Sequence, residues 1–195
     1  MSVLLLGACL FPGALAGQQS GNTPGFCLRG RPLPRCQWYP LAEVALSTRL
    51  ADQNRNQTPA RFYISGELGA LYNLSARSAL GGGAYLGADD DGWRLGIRPR
   101  YRHWIADGWT ADAALGVLFA GELDLYEGTW PGLTAQVGVG WQDLVALTTQ
   151  LEIIGTTQGT WVNWYAGLQA ASFAALIIAP VTWLIAMFTA ASNTS

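Results

Sequence analysis

The sequence predicts a mainly β protein: an antiparallel up-and-down meander forming a β-barrel of about eight strands, followed by one hydrophobic C-terminal helix. Three observations carry this. Apolar and polar residues alternate over long runs, the period of a strand with one face in each environment. Short turn-rich connections recur at regular spacing. One stretch without charge near the C-terminus is long enough to cross a bilayer as a helix.

The totals agree with a membrane setting. The 195 residues fit one domain plus attachments. Charged residues make up 12 % and hydrophobic residues 50 %, and that charged share is about half the usual one for soluble domains. The formal net charge of −2 provides no basic field for nucleic acid, so no nucleic-acid partner is expected. The Gly81-Gly82-Gly83 run is not followed by a helical pattern, which removes the phosphate-loop and dinucleotide readings. The Lys+Arg total of 11 consists of arginine alone.

At the N-terminus, "MSVLLLGACLFPGALAGQQS" has an apolar run and ends it in Ala14-Leu15-Ala16. That is the pattern of a secretory signal peptide over 1–16, although no Lys or Arg precedes the run. Leu6-Gly7-Ala8-Cys9 offers lipidation of Cys9 as an alternative. Residues 17–40 read as an extended, Gly/Pro-rich lead-in. Export would leave Cys27 and Cys36, in "CLRGRPLPRC", as an even pair suited to a small disulfide loop. Two free thiols are the alternative. His103 is the only histidine and no four-ligand set exists, so neither a zinc site nor any other cofactor is expected.

The β-domain is predicted over 41–170, with strands near 41–51, 61–74, 79–88, 92–105, 109–122, 132–141, 144–154 and 160–170. In "RFYISGELGALYNL" the apolar face is Phe62, Ile64, Leu68, Ala70, Tyr72 and Leu74. The opposite face carries Arg61, Ser65, Glu67 and Asn73. In "WRLGIRPRYRHW" Arg94, Arg98, Arg100 and Arg102 share one face. Over all strands, the polar face collects Arg49, Arg61 and these four arginines, against Glu43, Glu67, Asp112, Glu122, Asp124 and Glu152. Such a balance among small residues predicts an ion-pair network in which Arg94, Arg98, Arg100 and Arg102 meet Glu67, Asp112 and Glu122; binding of an anion such as a lipid phosphate or a carboxylate by the arginine row is the alternative. Periodicity does not say which face meets lipid, water or protein.

This pattern over residues 41–173 resembles the small eight-stranded outer-membrane β-barrels of bacteria. The resemblance implies an apolar lipid-facing band with aromatic girdles and a lumen of buried ion pairs. "YAGLQAASF", ending at Phe173, resembles the closing strand of such a barrel. The departure is 171–191, "ASFAALIIAPVTWLIAMFTAA", a charge-free stretch that reads as a transmembrane helix before a short tail, 192–195, with a helix packed against the barrel or an extra strand as the alternatives. Its Ala171, Ala174, Ala175, Ala179, Ala186 and Ala190 would let other helices approach closely.

No residue set reads as an active site. Some barrels of this family are lipid A deacylases with a His-x-Ser-Asn motif. Here His103 is followed by Trp104-Ile105-Ala106-Asp107, which lacks the nucleophile. "GADDDG" (87–92) lacks the spacing of a calcium loop and reads as a charged turn. The expectation is therefore a non-enzymatic accessory subunit of a membrane protein complex, of respiratory or photosynthetic type among the candidates. Its exported domain would be anchored in the inner membrane by the helix, with membrane lipid and transmembrane helices of the complex as partners. The alternative is a self-standing outer-membrane barrel that forms a pore or binds lipid. An outer-membrane lipid hydrolase is a more distant reading.

Overall fold

The computed structural model describes residues 25–52, 62–123, 128–157 and 159–171, together with 175. Eight strands form one closed antiparallel barrel in chain order. They are β1 (Trp38–Asp52), β2 (Phe62–Asn73), β3 (Ser78–Asp89), β4 (Gly92–Ala106), β5 (Trp109–Leu123), β6 (Gly128–Trp141), β7 (Val145–Thr156) and β8 (Gly159–Ala170). β8 closes on β1 from Val44↔Ala170 to Asp52↔Asn163, so no strand edge is left open. β1 begins at Trp38, earlier than the predicted 41, because Tyr39 and Leu41 continue its inward-facing alternation. The 1–16 signal segment, Arg61, Asp124, Ala174, Ala179, Ala186, Ala190 and the 192–195 tail lie outside the described residues. So does nearly all of the 171–191 stretch.

An up-and-down barrel puts its connections alternately at two rims. The near rim carries the segment before β1, the β2–β3, β4–β5 and β6–β7 turns, and the end of β8. The far rim carries the other four connections. Strands of 12 to 15 residues, rising about 3.3 Å per residue and tilted by about 40°, give a wall of about 30 Å or more. That covers an apolar band of about 25 Å.

The wall is inverted relative to a soluble protein. Its outward face carries Leu46, Leu68, Ile97, Leu115, Val137 and Leu147, all exposed. Among the described side chains, the only acidic or basic groups on the outward face of the strands are His103 and Glu122, each near a rim. Exposed aromatics gather at both levels: Trp38, Tyr72, Tyr101, Trp109 and Trp141 near one rim, and Phe62, Trp93 and Trp164 near the other. The inward face carries the charge. Arg94, Arg98, Arg100, Arg102, Glu43, Glu67 and Glu152 are all buried. A buried cluster of mostly apolar and aromatic side chains packs beside this polar column towards each rim. Tyr39, Leu41, Leu71, Ala79 and Trp104 do so at the near rim. Tyr63, Tyr85, Leu118, Leu123, Ile154, Trp161 and Tyr165 do so at the far rim.

One irregularity changes a predicted orientation. The β4–β5 register shifts between Leu95 and Gly96, where Leu95 pairs with Ala120 and Gly96 with Leu118. The extra residue, Phe119, is a bulge, and a bulge inverts the in–out parity beyond it. Leu123 therefore turns inward, and Glu122 turns outward beside Trp93. The same ladder has no pair at Arg98 and Pro99, where proline has no N–H to donate.

Candidate functional site

The site begins with the arginine row of β4. Even-numbered residues of that strand point inward, so Arg94, Arg98, Arg100 and Arg102 enter the lumen one above the other. Small residues make the room. A side chain at Gly116 on β5 would run into the Arg98 side chain, the Ile97 carbonyl and Thr134.

Each guanidinium has its own set of partners, mostly on other strands. Arg98 donates to Glu67 Oε2 through Nε (2.9 Å) and Nη2 (2.6 Å), and through Nη1 to Gln150 (3.0 Å). Arg100 Nη2 reaches Glu67 Oε2 at 2.7 Å, Glu43 Oε2 at 2.9 Å and Gln136 Oε1 at 3.0 Å. Arg102 pairs with Asp112 in bidentate fashion (2.7 and 3.0 Å), with Asp143 (2.8 Å) and with Glu43 (3.1 Å). Arg94 contacts Asp89 at 3.1 Å and Glu152 at 3.2 Å. Arg49, from β1, joins Asp89 (2.7 Å) and Asp91 (2.6 Å). These bonds cross the lumen: Glu152 of β7, for example, accepts from Tyr63 of β2 (2.7 Å) and Tyr85 of β3 (2.9 Å). An eight-stranded barrel is just wide enough for its own side chains, and here they fill it.

The guanidinium groups also lie over rings. Arg98 sits 3.9 Å from the centre of the Tyr85 ring, and Arg94 sits 4.9 Å from that of Trp161. A flat, weakly hydrated cation can pair edge-on with carboxylates and stack face-on against aromatics, which an ammonium does less well. That is a physical reason for arginine rather than lysine here.

Of the residues expected in the network, Arg94, Arg98, Arg100, Arg102, Glu67 and Asp112 come together in the lumen. Glu122 does not: the Phe119 bulge carries it to the outer surface. Asp89, Asp91 and Asp143 were missed, because they stand in or beside turns that read as solvated. Asp143 has an informative conformation. Gln142 and Asp143 both adopt φ of 54°, as the tight turn between β6 and β7 requires. This turns the Asp143 carboxylate back under the barrel, where it accepts from Arg102 and from the Gly30 amide (2.9 Å).

The Gly30 contact ties a cap onto the near rim. Cys27 and Cys36 form a disulfide, with S–S 2.04 Å. The loop between them lies across the barrel end. Asn73 Nδ2 donates to the carbonyls of Arg31 and Cys36, both at 2.7 Å. Arg29 donates to the Gln142 carbonyl. Gly30 packs so tightly that a Cβ would stand 2.8 Å from the Tyr39 ring. Beside this cap is a cleft of about 720 Å³. Ala171 and Ala175, both buried, are also at this end: the Ala171 amide donates to the Leu144 carbonyl (3.0 Å), and the Ala175 amide to that of Ala171 (3.3 Å). His103 faces outward near the same rim and stacks with Tyr101, with ring centres 6.5 Å apart.

Among the described residues, no group of His, Cys, Asp and Glu is arranged to hold a metal ion, and no helix is long and apolar enough to cross a membrane. The latter says nothing of strands.

No protein-family model matches the chain, and no curated protein does. Among solved structures, one from "De novo design of transmembrane beta-barrels" aligns with 73 % of this chain and 98 % of its own, at 11 % identity and a TM-score of 0.40. A second, "KdgM porin", aligns with 67 % of this chain and 98 % of its own, at 10 % identity and a TM-score of 0.24. Likeness at this level adds nothing to the strand geometry above.

Proposed function

We propose that this chain is a small outer-membrane-type β-barrel with a sealed lumen, working as a structural or lipid-binding membrane protein rather than as a conducting pore. The observation that carries this reading is the inverted wall. Charged groups are gathered and paired inside, and a band of aliphatic side chains between two aromatic levels faces out. That distribution is costly in water and suits a bilayer, where a strand-built wall must close on itself to satisfy its backbone. The seal follows from bonds such as Arg98–Gln150 and Glu152–Tyr63, which run from one side of the lumen to another.

The accessory-subunit reading has no comparable support. It rests on the 171–191 segment acting as an anchor, and a barrel whose own wall faces lipid needs none. Among the described residues no constellation supports enzymatic chemistry either: His103 lies on the outer wall with Tyr101 as its neighbour.

Two measurements test the proposal. The expressed protein should sediment with outer membranes and run at a different gel mobility before and after boiling. Recovery in the soluble periplasmic fraction would overturn the membrane reading. Reconstituted in a planar bilayer, it should give no stepwise conductance; steady channel openings would overturn the seal.

A further inference from the structure

The arginines divide into two groups. Arg49, Arg94, Arg98, Arg100 and Arg102 are committed to lumen carboxylates. Arg29 is committed to the Gln142 carbonyl. The other described arginines are Arg31, Arg35 and Arg77, and their guanidinium groups have no partner among the described residues. All three line the near-rim cleft. Arg31 and Arg35 come from the disulfide cap, and Arg77 comes from the β2–β3 turn. Two separate segments thus bring unspent guanidinium groups to one cavity, in a protein that pairs its other described arginines.

The cleft lining also includes the apolar side chains of Leu33, Trp104 and Ile105. Ile105 belongs to the outward face of β4 and is exposed. It thus belongs both to the cleft lining and to the outward wall, close to the near-rim level of Trp38, Tyr101, Trp109 and Trp141. In membrane proteins that aromatic level coincides with the headgroups. The Asp107 carboxylate, which has no partner among the described residues, borders the cavity, while Asp143 is already held by Arg102 and the Gly30 amide. Among the described residues, three free cations against one free anion give the cleft a cationic balance.

We propose that this cleft binds the phosphate headgroup of an anionic phospholipid from the adjoining leaflet, through Arg31, Arg35 and Arg77, with the acyl chains running down the wall past Ile105. Guanidinium is suited to this ligand, because its fork of N–H donors matches phosphate oxygens. Proximity to the lipid-facing wall favours a lipid over a free phosphate. This inference rests on the membrane-embedded reading proposed above.

The test uses the full chain purified in a mild non-ionic detergent, with lipid retention measured by native mass spectrometry. Phosphatidylglycerol should be retained on the order of ten-fold better than phosphatidylcholine. The triple variant Arg31→Gln, Arg35→Gln, Arg77→Gln should lose that preference while keeping heat-modifiable mobility. Asp107→Asn, which removes the free carboxylate and leaves the cap intact, should increase phosphatidylglycerol retention. Equal retention of the two lipids by the parent protein, or an undiminished preference in a folded triple variant, would overturn the site. So would a neutral Asp107→Asn, should the triple variant fail to fold. Inorganic phosphate binding as tightly as phosphatidylglycerol would overturn the lipid as its source. Loss of heat-modifiable mobility in the parent protein would instead count against the barrel reading itself, so the two failures are distinguishable.

Discussion

Replacing Glu67 by glutamine tests whether the lumen network holds the barrel together. Glu67 is 2 % exposed. Its Oε2 takes two contacts from Arg98, at 2.9 and 2.6 Å, and one from Arg100 at 2.7 Å. Its Oε1 has no hydrogen-bond partner among the described residues. Glutamine can therefore put its NH2 on that side and keep an oxygen towards the guanidinium groups. What is lost is the charge. Arg100 keeps Glu43 at 2.9 Å as a counter-ion. Arg98 keeps only the neutral Gln150 and the Tyr85 ring. Breaking a buried pair from one side costs about 3–5 kcal/mol, and the retained acceptor puts Glu67→Gln at the low end, about 3 kcal/mol. Urea unfolding in phosphatidylcholine vesicles, followed by tryptophan fluorescence in both directions, reads this as a lower midpoint with an unchanged slope. The outward-facing Glu122→Gln serves as a control and should stay within about 0.5 kcal/mol. Replacing Glu67 and Arg98 together by methionine should recover much of the loss, since no lone charge is then left. A Glu67→Gln midpoint matching the parent would refute the argument.

Three further substitutions probe other parts of the structure. Leu115, 70 % exposed on the outer face near the middle of β5, should lose about 2–4 kcal/mol of bilayer stability as Leu115→Arg; tolerance of arginine there would mean that this face meets water. Gly116→Ala puts a methyl against Arg98, Thr134 and the Ile97 carbonyl, and should cost about 2 kcal/mol through overpacking, read as a lower unfolding midpoint. Removing the Cys27–Cys36 bridge by double serine substitution opens a loop with a sequence separation of 9, which should weaken the cap by about 2.5 kcal/mol on chain entropy. Trypsin should then cleave after Arg29 or Arg35 while the barrel keeps its heat-modifiable mobility, and a cap still resistant to the protease would contradict this.

Much of the architecture was legible in the linear pattern, because strand geometry is a local property. A period of two puts Phe62, Ile64 and Leu68 on one side and Ser65 and Glu67 on the other, whatever surrounds them. The same alternation placed Arg94, Arg98, Arg100 and Arg102 on one face, and short turns set the order of the strands. The shortage of charge, 12 % of the chain, already suggested a membrane.

Three matters were left to the tertiary structure. The first was which face is inside, since alternation is symmetric until closure gives the sheet a lumen. The second was where the alternation slips. Phe119 looks like any other strand residue, yet its bulge sends Glu122 outward, because a bulge is set by how two strands pair rather than by either sequence alone. The third was which turn residues reach back into the barrel. Asp91 and Asp143 stand in turns and carry no strand parity, and Asp89 is the last residue of β3, so only the folded chain brings them to Arg49, Arg94 and Arg102. The sequence determined the strands and the composition of their faces. Closure of the barrel decided which charges meet, because those meetings join residues far apart in the chain.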